Sequence, residues 1–573
     1  ATATAVAQEY ERTFAGLLAG GAAGPRVALA GVDTTAAGDG RATATCDVTW
    51  QVGAATWTYR TSAGLVDGGD DWRVVWSPSI VHPDLTAGAT LTTVRQQPER
   101  ADVLGRDGSP VVTATEVVDV GVQPSRTTDP AATAAAVAAV LDVDDAALEE
   151  RVRAARPDAF VAVITLRRPD FDAAQDRLRP VPGVVFRAGS TPLAPTRAFA
   201  RALLGSVGEV TAEIVEGSAG RYAAGDRAGL SGLQRRYDER LAGTTGLVVQ
   251  LRGAEEGAQA RTLFTAEALP GTSVTTSLDA RVQQAADEVL AGVGPQSAIV
   301  VVDVPTGDVL AVANGPATGG DRALTGRFPP GSTFKVVTTF ALLQQGLSPE
   351  EPVACPTTAT VDGRTFRNFE GEAFGATTFR TDFARSCNTA FVDLSSRLDD
   401  DALPRAAAQL GIGAGWDVGV DAFDGDVPAA ESAVDRAAAS FGQGRTLVSA
   451  LALAVAGAAA ARGATAVPRI VLDPAPAAAP AASLPADAVA TLRELMREVV
   501  VSGTATALRD CPGGDVFAKT GTAEHGTAVP PETHAWVVGW QGERAFAVFV
   551  AEGRSGGTVA APVARSLLER LAA

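Results

Sequence analysis

The sequence predicts an α+β protein of several domains, because helix-period apolar stripes are mixed with antiparallel hairpin patterns along the chain. Hairpins are legible at 298–313 and 535–551, where two short β-forming runs flank a tight turn. Amphipathic helices with recognisable caps lie between and after them. The length of 573 residues exceeds what one hydrophobic core supports, so two to four domains are expected.

The first segment, to about residue 95, opens with an amphipathic helix through Tyr10, Phe14 and Leu18. Strands follow at Thr43–Trp50, Ala55–Thr61 and Trp72–Trp76, separated by Gly-Asp-Gly and Asp-Gly-Gly-Asp turns. This pattern fits a curved antiparallel sheet carrying one helix, with Trp72 and Trp76 in its core. The second segment, about 96–268, begins extended over Arg100–Val112, with a turn at Asp107-Gly108. Helical segments span Ala131–Ala155, strands span Ala159–Leu166 and Gly183–Phe186, and Gly229–Gly246 reads as a helix capped by Ser231 and closed by Gly243. Its Arg235-Arg236 pair reads as a solvated face.

In the third segment, Thr276-Ser277-Leu278-Asp279 caps a helix carrying Val282, Ala285, Ala286 and Val289. Two strands then surround Pro305-Thr306-Gly307-Asp308, and a second hairpin spans Ala535–Trp540 and Ala545–Ala551. The Pro/Ala tract 474–485 is expected as a surface loop, and the last helix, Ala561–Leu571, has a stripe suited to lying on the sheet.

Composition narrows the function classes. Hydrophobic content of 46% with 20% charged residues is ordinary for a folded soluble protein. A net charge of -18 and a pI near 4.8 oppose a nucleic-acid partner, which requires a basic stripe. The nearest approach to a membrane span, Ala450–Ala461, is alanine-rich, meets Arg462, and reads as a buried helix. The chain opens at Ala1 without a methionine or signal segment, and the expectation is that an anchoring segment has been removed ahead of it. The cysteines Cys46, Cys355, Cys387 and Cys511 have no metal-ligand spacing. Cys355 and Cys511 lie in similar Cys-Pro turns and are the pair considered for a disulfide. His525 and His534 match no metal motif and are expected as a loop residue and a strand-edge residue.

Only two lysines occur, Lys335 and Lys519, against a Lys+Arg total of 48. A composition this biased should have made arginine of any lysine needed only for charge. An ammonium can lose its proton when buried, whereas a guanidinium does not. Lys335 ends Pro329-Pro330-Gly331-Ser332-Thr333-Phe334-Lys335, a turn entering a helix, where the i,i+3 spacing brings it toward Ser332. A serine hydroxyl becomes a nucleophile when a neighbouring amine takes its proton. Ser386-Cys387-Asn388 places a hydroxyl and an amide two residues apart before a helix, and carries little information alone. Phe517-Ala518-Lys519-Thr520-Gly521-Thr522 puts Lys519 on a strand beside two hydroxyls suited to a carboxylate, with Gly521 allowing close approach.

These three elements in this order form the signature of penicillin-binding proteins and serine β-lactamases. Residues 275–573 resemble a penicillin-binding transpeptidase domain, with further likeness in VVDVPTGDVLAVAN at 301–314 and in Gly442-Gln443-Gly444. The phrase GLSGLQRRYDERLAGTTG resembles the region ahead of that domain in class B members, whereas Arg100 with Arg106-Asp107-Gly108 departs from their usual opening motif. DWRVVWSPSIVHPDL at 71–85 resembles the cone-shaped extension of methicillin-resistance-type penicillin-binding proteins.

The resemblance implies a C-terminal serine transpeptidase/β-lactamase-like domain at 269–573, an antiparallel sheet flanked by helices. Two smaller α+β domains would precede it: the extension at 1–95 and a dimerisation or pedestal-like domain at 96–268. It further implies acyl transfer at a D-alanyl-D-alanine stem peptide. Ser332 would be the nucleophile and Lys335 its base, with Ser386 relaying a proton and Asn388 holding the peptide. Lys519, Thr520, Gly521 and Thr522 would grip the terminal carboxylate, and the N–H groups of Ser332 and Thr522 would receive the oxyanion. No metal or cofactor is implied. Stem peptides, β-lactam antibiotics and division or elongation membrane proteins are the implied partners, and the location is extracytoplasmic.

Two rivals share part of the pattern. A class A β-lactamase needs a glutamate with an asparagine partner downstream, and no asparagine follows Asn388. A carboxylated-lysine hydrolase is opposed by the two additional N-terminal domains. The other rival is a β-lactam sensor or non-catalytic cell-wall scaffold.

Overall fold

The computed structural model describes residues 3–19, 22–35, 37–255, 259–317, 319–476, 481–528 and 531–573. The chain forms two compact units, each built from more than one segment. One comprises Ala1–Ala101, Gly208–Ala228 and Asp238–Thr272; the other comprises Asp102–Val207, Gly229–Tyr237 and Ser273–Ala573.

The first unit packs the helix Ala3–Ala19 against two antiparallel sheets around one core. The four-stranded sheet orders its strands as in the chain: Arg26–Asp33, Arg41–Val52, Ala55–Asp67 and Trp72–Val75. Phe14, Leu17, Trp50, Trp57, Leu91 and Val249 meet in the core. The helix therefore presents Phe14 and Leu17 inward, while Tyr10 and Leu18 remain 41% and 49% exposed, which corrects the expected stripe. Trp72 is exposed rather than core, and Trp76 is half-buried with its indole N–H donating to Glu9 (2.9 Å). Sequence patterning missed the strand Arg26–Asp33 because both its faces are exposed, so no alternation marks it. Arg100 forms an ion pair with Asp238 at 2.8 Å inside this unit, joining the extended lead-in to the GLSGLQRRYDERLAGTTG phrase. That phrase is two short helices, Gly232–Arg236 and Asp238–Ala242, rather than one, because Tyr237 leaves the helical region at φ −110 and ψ 24. Ser231 bonds Ser206 instead of capping, and Arg235 and Arg236 are exposed as expected.

In the second unit a long strand, Pro110–Val122, pairs antiparallel with Val161–Arg167 and Val184–Leu193. Helices Pro130–Leu141 and Arg168–Leu178 cover it. The remainder is built on a five-stranded antiparallel sheet. We label its strands β1 (Ser297–Asp303), β2 (Val309–Gly315), β3 (Val516–His525), β4 (Glu532–Gln541) and β5 (Arg544–Val550); their spatial order is β2-β1-β5-β4-β3. The helices that matter for the site are α1 (Ala280–Ala291), α2 (Lys335–Gln344), α3 (Phe379–Arg385), α4 (Asn388–Leu394), α5 (Ala450–Arg462), α6 (Ala486–Val501) and α7 (Ala561–Ala572).

β1 and β5 are almost wholly buried because helices pack on both faces of the sheet, α5 on one side and α1 with α7 on the other. α5, apolar up to its final Arg462, is thus a core helix, as its alanine-rich sequence indicated. α1 is capped by the Asp279 carboxylate, which accepts from the N–H groups of Arg281 and Val282. Thr276 lies on a short strand, and Ser277 donates to the Val309 and Arg469 carbonyls. The Pro/Ala tract lies partly outside the described residues. Among the described residues no helix is long and apolar enough to cross a membrane.

Phe549 of β5 is fully buried, stacked on Phe328 at 4.3 Å and tilted against Trp536 at 4.5 Å. Phe549→Ala is expected to cost about 3–5 kcal/mol through the cavity it leaves, read by chemical denaturation.

Candidate active site

The three sequence elements meet at the exposed edge of the sheet, where β3 faces the start of α2 and the junction of α3 with α4. Ser332 occupies a 3-10 turn, Gly331–Phe334, that runs directly into α2. That turn is pinned from several sides. The Gly331 N–H donates to Gly442 O (3.0 Å), the Thr333 hydroxyl to Pro330 O (2.7 Å) and the Trp536 indole to Pro329 O (3.1 Å). Gly331 has φ +51, and a Cβ there would lie 2.5 Å from Thr522 O. A Cβ on Gly521 would lie 2.9 Å from Pro330 O. These two glycines let the nucleophile turn and β3 touch backbone to backbone.

Ser386 closes α3 in the left-handed region, φ 64 and ψ 36, a conformation costing a non-glycine residue about 1–2 kcal/mol. That conformation turns its carbonyl and hydroxyl toward Lys335. The Lys335 amine donates to Ser386 O (2.7 Å) and Asn388 Oδ1 (2.7 Å) and lies 3.3 Å from Ser386 Oγ. Asn388 is oriented by its other amide atom, Nδ2, which donates to Arg367 O (3.2 Å). From β3, the Lys519 amine donates to the same Ser386 Oγ (2.9 Å) and to Thr520 O (3.0 Å). Both lysines are 0% exposed. Ser332 is half-buried, and among the described residues its hydroxyl has no hydrogen-bond partner.

Burial holds the Lys335 amine well below the ordinary ammonium range, Lys519 adds to this by repulsion, and Asp382 opposes it. Burial alone lowers Lys519 to about 7. The two short bonds of Lys335 go to carbonyl-type acceptors, with the Ser386 hydroxyl as its third neighbour.

Thr520 and Thr522 lie on one face of β3. The Thr520 hydroxyl is 2.5 Å from the Thr504 hydroxyl, and Thr522 Oγ1 accepts from the Gly556 N–H (3.3 Å). The Ser332 N–H belongs to the first turn of its helix, where backbone N–H groups have no partner within the helix.

Comparison with known proteins agrees with this assembly. Residues 297–569 match the model of the penicillin-binding protein transpeptidase domain, 95–276 the penicillin-binding protein dimerisation domain, and 2–89 the NTF2-like N-terminal transpeptidase domain. Peptidoglycan D,D-transpeptidase PbpA of Mycobacterium tuberculosis is 31% identical over 373 residues, covering 53% of this chain and 74% of that protein. The chain belongs to the class B penicillin-binding proteins. Peptidoglycan D,D-transpeptidase FtsI of Escherichia coli is 24% identical over 401 residues, 65% of each chain. Among solved structures, a peptidoglycan synthase complex of polymerization and crosslinking aligns over 84% of this chain and 92% of its own, with TM-score 0.65 and 23% identity. Penicillin-binding protein PBP2 in complex with MreC from Helicobacter pylori aligns over 84% and 99%, with TM-score 0.62 and 18% identity. At these identities the structural likeness speaks for the fold.

Two expectations read from local sequence change. The disulfide joins Cys355 to Cys387, not to Cys511, which is a buried free thiol. Cys387 begins α4, where its sulfur accepts from the Ala390 N–H, and α4 packs on the strand Pro352–Cys355, so these two cysteines are the ones brought together. His525 and His534 both lie within strands, β3 and β4, with rings stacked at 3.7 Å. Sequence reading also missed Asn368. It is buried, accepts from the Thr389 N–H (3.0 Å), donates to Pro356 O and Glu372 O (both 2.8 Å), and so fixes the start of α4. Its rarity was the available signal, since the chain has only three asparagines.

Gly331→Ala is expected to cost about 2–3 kcal/mol or more, through both the positive φ and the clash with Thr522. The checks are thermal denaturation and the rate of β-lactam acylation, which should fall together.

Proposed function

We propose that this chain is a peptidoglycan D,D-transpeptidase that cross-links stem peptides through an acyl-enzyme on Ser332 and is acylated there by β-lactams. The observation that carries this reading is the convergence of both lysine amines on the one hydroxyl of Ser386, beside the turn bearing Ser332.

In this reading Lys335, neutral at rest, takes the Ser332 proton as the hydroxyl oxygen attacks the penultimate D-alanine carbonyl. The oxyanion is received by the N–H groups of Ser332 and Thr522. Lys519, with Thr520, Gly521 and Thr522, grips the terminal carboxylate. Asn388 holds the peptide, and Ser386 passes the proton from Lys335 to the departing D-alanine amine. The amine of a second stem peptide then attacks the acyl-enzyme and forms the cross-link. Ser386 suits a relay because it accepts from one buried cation while lying within reach of the other amine.

The proposed division is an N-terminal extension (1–95), a dimerisation or pedestal-like domain (96–268) and a transpeptidase domain (269–573). An extracytoplasmic location is supported by the peptidoglycan-active relatives and by a buried disulfide, which persists in oxidising compartments. Membrane attachment through a further segment belongs to the same reading. The similar structures are a synthase complex and a complex with MreC, which supports division or elongation proteins as partners.

Labelling with a fluorescent penicillin followed by mass mapping should place the adduct on Ser332. Ser332→Ala should abolish labelling, a loss of about a thousandfold or more, with circular dichroism unchanged. An adduct on another residue, or one hydrolysed within seconds, would contradict the transpeptidase reading.

The pH dependence has a definite sign. The base form of Lys335 is lost as pH falls through its lowered pKa, so acylation declines on the acid side. The cationic form of Lys519 is lost as pH rises past about 7, so capture of the carboxylate declines on the alkaline side. Second-order acylation rates of the free enzyme should be bell-shaped, with the alkaline decline setting in near neutrality. Stopped-flow acylation across pH tests this.

A further inference from the structure

Behind the Lys335–Ser386 contact lies a carboxyl that none of the motif residues explains. Asp382 is on α3, one turn ahead of Ser386, and is 0% exposed. Neither of its side-chain oxygens has a hydrogen-bond donor among the described residues. A carboxyl oxygen lies within 4.8 Å of both sulfurs of the Cys355–Cys387 pair, and a disulfide sulfur has no hydrogen to offer. The sulfurs are bonded to each other, so this cluster offers no thiolate to a metal.

A buried, unsolvated carboxylate is unfavourable, because desolvation penalises its charged form. The elements packed on α3 are α6 and the strands Pro352–Cys355 and Gly375–Thr378. Those strands carry no charged side chain. On α6 the nearby charges are engaged elsewhere: Arg493 on Ala460 O, Arg497 on Asp515, Glu494 near Arg380, and Glu498 with Ser502. On α3 itself, Arg380 pairs with Glu350, and Arg385 is exposed. The charge that acts on Asp382 is that of Lys335, and Asp382 acts on Lys335 in return.

We propose that Asp382 is a positioning residue that acts through Lys335, the buried counter-charge for the ammonium formed when Lys335 takes the Ser332 proton. This rests on the transpeptidase reading above. The proton balance is simple. The Ser332 O–H bond breaks, the proton goes to Lys335 Nζ, the oxygen bonds the acyl carbon, and the proton later leaves through Ser386 to the departing amine. Asp382 transfers nothing; its charge stabilises the cationic stage. Burial pushes its own pKa up to about 7, against the pull of Lys335, so this support weakens as the solution becomes acidic.

With only two lysines, protein carrying [13Cε]lysine gives two side-chain resonances, assigned with Lys519→Arg. In Asp382→Asn the Lys335 titration should move to lower pH by about one unit, because an attractive charge has gone, while that of Lys519 moves little. The acid limb of β-lactam acylation should shift in the same direction. The plateau rate should drop by about tenfold, and Asp382→Glu should recover part of both effects. If Asp382→Asn fails to fold, the Lys335 resonance of Lys519→Arg decides, because with Lys519 no longer titrating, coupling to Asp382 requires two inflections rather than one. Normal acylation at Ser332 with an unmoved lysine titration and acid limb would overturn the role of Asp382 alone. No acylation at Ser332 would overturn the transpeptidase reading and this role together.

Discussion

Two buried lysine amines, each costly to keep charged, directed at one serine hydroxyl are the constraint around which the catalytic unit is organised. Desolvating even one such group costs several kcal/mol, and a second nearby adds repulsion. The arrangement survives because carbonyl-type acceptors surround Lys335, and because its proton can be lost. In the proposed mechanism that instability makes Lys335 the base and leaves Lys519 as the cation that holds a carboxylate. The Phe391 and Phe383 rings lie near the two amines, 5.1 Å from Lys335 and 5.8 Å from Lys519, and lower the local dielectric.

Holding those groups in place falls to backbone rather than to side chains. The nucleophile turn meets β3 through Gly331 and Gly521, and Ser386 accepts a strained conformation that aims its carbonyl at Lys335. A covalent bond, Cys355–Cys387, and the buried amide of Asn368 then secure the segment immediately after Ser386. Strain at Ser386 and rigidity around it belong together, because a single left-handed residue is retained only where its surroundings determine it.

A compositional bias made this protein unusually legible. In a chain rich in alanine and arginine, the two lysines that survive are both buried, and both reach Ser386. Asparagine survives where one side chain must both donate and accept. Asn314, Asn368 and Asn388 each do so, with Asn314 accepting from the N–H groups of Arg322 and Ala323 while donating to Asp321. The motif order at Ser332, Ser386 and Lys519 and both C-terminal hairpins were readable for the same reason: local residue choice and local structure agree there. Strand Arg26–Asp33, exposed on both faces, gave no such signal, and the Cys355–Cys387 pairing depends on a contact that spacing does not encode.

By itself, the sequence determined the α+β class and the order of the three motifs, since periodicity and motif chemistry are properties of neighbouring residues. Only the tertiary structure decided which atoms share Ser386, that the Asp382 carboxyl is buried one turn before it, and that separate chain segments build each compact unit. These depend on burial and long-range packing. Desolvation, which sets the charge of both lysines, is a property of the surroundings that no local stretch of sequence carries.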